Sequence, residues 1–151
     1  MNHWIIAPVL IPALAGMLLL LEVRERHRLR RITGLLSCAA MLATAIFLGD
    51  QAWGGEITVY ALGNWQAPFG IVLVLDKLSA LMLVLTAVLA FPALLYACCG
   101  DDRRGANFHA LFQFQLMGVN GAFLTGDLFN LFVFFEVLLI ASYGLALHGR
   151  G

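Results

Sequence analysis

One carboxylate, Glu136, stands in the middle of an apolar run, residues 128–147, that contains no Lys, Arg or His. A charged side chain at the centre of a membrane-length helix costs about 2.5–3.5 kcal/mol by insertion scales, and such residues mark ion or proton pathways. The chemistry open to it is titration: taking up and releasing a proton, or balancing a cation. On a helix its neighbours at i±3 and i±4 are Phe132, Val133, Leu139 and Ile140, all apolar. Tyr143 shares the face but stands about 10 Å further along the axis. A partner for Glu136 must therefore come from another helix, from water or from another subunit. Two readings stand: a protonated glutamate acting as packing glue, or a group on a translocation path. The second is the leading one.

Six further residues could support such a path or serve structure alone. Asp76 and Lys77 open an apolar stretch as Asp-Lys-Leu-Ser. Asp76 suits a helix N-cap, and Lys77 suits an interfacial position with its charge turned to water. Being adjacent, they point about 100° apart and form no helix-face pair. His109 begins another stretch, where it is an interfacial histidine or part of a proton relay. Asn120 and Gln113 are seven apart and share a face, lining a hydrated cavity or bonding between helices. Tyr143 follows Glu136. The three cysteines, Cys38, Cys98 and Cys99, form no CxxC or Cys/His pattern, so the sequence predicts no metal site and no disulfide framework. No motif suggests a cofactor.

The elements that must position these residues follow from composition. The chain has 151 residues, of which 62% are hydrophobic and 12% charged, so an all-α integral membrane protein is expected. Its net charge of zero points to no polyanionic partner. Five spans are expected, near 4–21, 32–48, 76–98, 108–124 and 128–147. A signal peptide is disfavoured for the first, because no basic region precedes it. Glu22 to Arg31 reads as a short cytoplasmic loop. Small residues such as Gly34, Ala40 and Ala43 suit the second span to close packing, and Gly118 with Ala122 does the same in the fourth. Pro92 is expected to kink the third. Between the second and third spans, 57–62 and 71–75 read as strands. They predict a short extracytoplasmic β-hairpin turning at Ala67-Pro68-Phe69-Gly70, with Trp53, Tyr60 and Trp65 at headgroup level.

Eight arginines (24, 26, 28, 30, 31, 103, 104 and 150) fall on one side of this arrangement and Lys77 toward the other. The positive-inside rule then places the N-terminus outside and the C-terminus in the cytoplasm.

Residues 60–85, YALGNWQAPFGIVLVLDKLSALMLVL, resemble the region of the third helix in the D subunit of Mrp-type monovalent cation/proton antiporters. Residues 126–145, GDLFNLFVFFEVLLIASYGL, resemble the fifth helix of the same protein. The antiporter-like subunits of complex I share Asp76, Leu78, Ser79, Glu136 and Tyr143 more loosely. The resemblance covers essentially the whole chain and implies a membrane subunit of a multisubunit Na+ or K+/proton antiporter. It implies that Glu136 is the fifth-helix glutamate essential for transport, working against a lysine on a later helix beyond this sequence. The chain would be the N-terminal portion of such a subunit, inactive alone. Implied partners are other antiporter membrane subunits, the bilayer, protons and monovalent cations, in a bacterial inner membrane, with no nucleic acid and no cofactor. A secondary transporter subunit is expected rather than an enzyme. The alternatives are a proton-pumping subunit of a complex I-like NADH–quinone oxidoreductase or membrane hydrogenase, and a purely structural membrane subunit.

Overall fold

The computed structural model describes residues 2–22, 25–66 and 68–150. Five helices carry most of the chain: α1 (Ala7–Leu21, entered through a 3-10 turn at His3–Ile6), α2 (His27–Trp53), α3 (Lys77–Ala97), α4 (Phe108–Leu124) and α5 (Leu128–Ala146). Two short strands, β1 (Thr58–Ala61) and β2 (Val72–Leu75), pair antiparallel with Thr58 opposite Leu75 and Tyr60 opposite Leu73. By length and composition, α1, α2, α3 and α5 are able to cross a membrane. α4 has 17 residues and carries Gln113, Gln115 and Asn120. Leu14, Leu36, Ile46, Leu81, Leu89 and Ile140 point outward and are 53% or more exposed. Such a contiguous apolar exterior suits lipid rather than water. The chain is an α-helical, multi-pass membrane protein.

The helices pack in the order α3, α2, α1, α4, α5. Buried Leu19, Met41, Leu48, Leu83 and Leu94 fill the seams. The second helix is longer at both ends than the apolar run 32–48. The basic residues His27 to Arg31, expected in a loop, form its first turn and a half, and Gly49 to Trp53 its last. Arginine is a good helix former, and the Arg30 and Arg31 side chains bond to groups across the bundle mouth. Arg30 donates through Nη1 to the Ala106 carbonyl and through Nη2 to that of Leu19 at 3.3 Å.

Side chains cap the starts of α3 and α5. Asp76 accepts from the Ser79 N–H at 2.7 Å, and Ser79 Oγ accepts from the Asp76 N–H at 2.9 Å. This is a reciprocal capping box. Asp127 accepts from the Asn130 N–H at 2.8 Å. Pro12 lies inside α1 and has no N–H to give the Pro8 carbonyl one turn back. Asn120 supplies the missing donor from α4, its Nδ2 lying 2.8 Å from the Pro8 oxygen. A proline gap in one helix is closed by a buried amide of another. α3 continues through Pro92.

The hairpin forms between the expected segments. Its turn begins with Gly63 at φ 64° and Asn64 at φ 60°, left-handed conformations that these two residue types tolerate. Of the expected turn residues, Ala67 lies outside the described residues. The Phe69 and Gly70 N–H groups donate to the Gln66 carbonyl at 3.1 and 3.2 Å. Trp53 and Trp65 are exposed, as headgroup residues would be. Tyr60 departs from that expectation. Strand alternation turns it inward to 7% exposure, and its hydroxyl lies 3.1 Å from His3 Nδ1.

Candidate functional site

Glu136 is placed by the way α5 seats on α4. A Cβ built on Gly118 would lie 2.8 Å from the Leu138 nitrogen and 3.0 Å from the Phe134 oxygen, so the two backbones approach to a distance only glycine permits. The Phe134 ring covers Gly121, and Leu111 covers Gly144. The sequence pairs Gly118 with Ala122; the close approach uses Gly118 with Gly121. The seam points Phe134, Leu138 and Ala141 toward α4. Glu136, 200° round from Phe134, is left on the opposite face.

That face is open. Phe132 is 61% exposed, Ile140 67% and Tyr143 65%, and Glu136 lies exposed among them. Among the described residues Glu136 has no hydrogen bond and no ion pair. The N-terminus of α5 is nevertheless held. The Gly126 N–H donates to the Val72 carbonyl at 2.7 Å, Leu73 bridges to Thr125, and Asn130 Nδ2 donates to the Gly70 carbonyl at 3.1 Å. The hairpin thus fixes where α5 enters, and α4 fixes which way Glu136 points.

The structure unites Tyr143 with Glu136 on one face and separates the other candidates from them. Asp76 is an N-cap and Lys77 is exposed beside it, at the hairpin end of α3. Asn120 is fully buried between α1 and α2, with Nδ2 also 3.0 Å from Met41 Sδ. Gln113 accepts from Ser37 Oγ at 2.8 Å. Interhelical bonding, not a cavity lining, accounts for both amides. His109 is buried, with Nε2 3.0 Å from Asp102 Oδ2.

Asp102 is a residue that sequence reasoning missed. It follows α3 in a polar turn, yet its side chain is 1% exposed. Arg31 grips it with both arms, Nε to Oδ2 at 2.6 Å and Nη2 to Oδ1 at 2.7 Å. The Arg31 hydrogen bonds, with a smaller one from His109, outweigh burial and hold this carboxyl at about 2. A carboxylate whose folded value is depressed stabilises the fold above the ordinary range, near 4, and loses that contribution as pH falls toward 2. The contribution is about 2–3 kcal/mol. Asp102→Asn should remove most of the acid sensitivity of thermal unfolding between pH 5 and pH 3. It should also cost about 3 kcal/mol at neutral pH, because Arg31 is left unpaired at a partly buried position. Melting curves of both proteins across that range check it, and parallel pH dependences would refute it.

No protein-family model matches the chain. Its relatives among characterised proteins are informative. A protein of Rhizobium meliloti, named as the probable D subunit of a K(+)/H(+) antiporter, is 50% identical over 157 residues, covering 100% of this chain and 29% of that one. The Na(+)/H(+) antiporter D subunit of Alkalihalophilus pseudofirmus is 46% identical over 151 residues, covering 99% of this chain and 30% of that one. Among solved structures, a chain of the Mrp complex from Dietzia sp. superimposes with a TM-score of 0.85 at 34% identity, over 96% of this chain and 27% of that one. The packed apolar helices and the hairpin define a segment of a multi-pass membrane protein. Over essentially its whole length the chain is similar to D subunits of Mrp-type cation/proton antiporters, and it spans about 30% of the length of the relatives it matches.

Proposed function

We propose that the chain is the N-terminal portion of a membrane subunit in a multisubunit Na+ or K+/proton antiporter, and that Glu136 carries the proton. The observation behind this reading is the mid-helix carboxylate held on an open face of α5 with no partner among the described residues. A carboxyl in a low-dielectric medium favours its protonated form, and a cation brought close to a carboxyl favours the ionised form. A basic group that approaches and retreats from that face would load and release the proton. Tyr143, on the same face, is a supporting residue. Partner membrane subunits and monovalent cations follow from this role.

The experiment is reconstitution. In liposomes under an imposed pH gradient, the complete antiporter should give cation-dependent proton flux, and the 151-residue chain alone should give none above empty vesicles. Antiport by the isolated chain would remove the need for an outside partner.

For the membrane arrangement, five spans in a bacterial inner membrane with the N-terminus outside are proposed. The arginine contacts of Arg30 and Arg31 gather at one end of the bundle, and the hairpin with His3 at the other, which supports this orientation. A reporter active only outside the cytoplasm should be silent after Arg150 and active near Gly55. The reverse pattern would invert the arrangement.

A further inference from the structure

Where α3 ends and α4 begins, three side chains converge that the transport reading does not use. Cys98 closes α3, Asp102 lies in the turn, and His109 is in the first turn of α4. Their ligand atoms, one thiol sulfur, one carboxylate oxygen and one imidazole nitrogen, all lie within 4.8 Å of one another. No sequence motif marks the cluster, because Cys98 and His109 are eleven apart and fit no ligand spacing. The helix–turn–helix geometry brings them together.

We propose that Cys98, Asp102 and His109 bind a divalent transition ion of the zinc class. Thiolate, carboxylate and imidazole are the three ligand types zinc takes from proteins, and ligand atoms around a tetrahedral zinc stand about 3.5 Å apart. The observed cluster closes onto that geometry by about 1 Å of side-chain movement. Asp102 and His109 are buried at 4% exposure, and Cys98 is partly exposed, which leaves a way in. Arg31 already orients the carboxylate through two hydrogen bonds, the task of an outer-shell partner. A metal would take the place of the Asp102–His109 hydrogen bond, while Arg31 keeps Oδ1. On binding, the Cys98 thiol proton leaves to solvent and its sulfur bonds the metal. His109 binds through Nε2 as the neutral ring with its proton on Nδ1. No electron is transferred. The thiolate and carboxylate together neutralise the divalent charge; the nearby Arg31 and Arg30 oppose it. Affinity therefore rises with pH. Three protein ligands leave the fourth position to water, and the bound ion ties the α3 end to α4.

Cobalt(II) is the probe, added to the purified 151-residue chain. Wild type should show a thiolate-to-cobalt charge-transfer band that zinc abolishes. Cys98→Ser should lose the band. Loss of a direct ligand should lower affinity by more than the roughly 10- to 100-fold typical of outer-shell losses. Cys99→Ser should keep the band. Zinc should also slow alkylation of Cys98 in wild type while leaving the exposed Cys99 reactive, a readout that needs no variant. Absence of the band, its survival in Cys98→Ser, its loss in Cys99→Ser, or alkylation of Cys98 unaffected by zinc would each overturn the site.

Discussion

Glu136→Gln, made in the complete antiporter, should leave assembly intact and collapse cation-dependent proton flux by more than about 100-fold, the loss expected when a positioned proton-transfer group is removed. The amide keeps the size and hydrogen-bonding capacity of the carboxyl but does not titrate. Were Glu136 packing glue, glutamine would serve as well. The geometry argues against glue: the side chain lies exposed on the face of α5 turned from α4 and makes no hydrogen bond or ion pair among the described residues. Glu136→Asp should fall between, since it titrates but sits one methylene short of its partner. Phe135→Leu is the control. Phe135 is half exposed and about 100° round the helix, so general damage to α5 would appear there too. Flux in inverted vesicles, normalised to assembled protein, decides it. Wild-type flux from correctly assembled Glu136→Gln would remove the residue from the translocation path.

The uneven legibility of this fold has physical causes. Apolar runs announce α1, α3 and α5 because a bilayer demands length and little else. The caps at Asp76 and Asp127 are equally visible, since capping is local. Two classes of feature are not. Helix faces in an apolar segment carry no amphipathic signal, so the sequence places Glu136 in α5 but does not say that it points away from α4. What reveals the face is the glycine pair on the neighbouring helix. Long-range polar pairs form the second class. Arg31 and Asp102 are 71 residues apart, and each looks like a loop charge until the fold joins them. Asn120 and Pro12 are intermediate. A proline in a spanning helix leaves a free carbonyl and a buried amide needs an acceptor, so both halves are legible, but which amide meets which carbonyl is not.

Gly118→Val should unseat α5 and carry Glu136 out of position, whereas Gly49→Ala should be silent. At Gly118 the obstruction is backbone, the Leu138 nitrogen at 2.8 Å and its Cα at 3.0 Å, and no rotamer change relieves it. Overpacking of this kind costs about 1–3 kcal/mol, and the two helices must separate to accept even a methyl group. At Gly49 an added Cβ would meet only Val84 Cγ2 at 3.7 Å, an ordinary contact. The thermal midpoint of the purified chain should fall for Gly118→Val and hold for Gly49→Ala. In the complete antiporter, flux should fall with the first and not with the second. A rescue experiment separates backbone from side-chain obstruction. An added Cβ at Gly121 meets the Phe134 ring, which can be trimmed. Phe134→Leu should therefore restore much of what Gly121→Ala loses, but Leu138→Ala should restore nothing to Gly118→Val, because the clashing atoms remain. Recovery of Gly118→Val by Leu138→Ala would mean that the seam is held by side chains and that the backbone contact does not set the direction of Glu136.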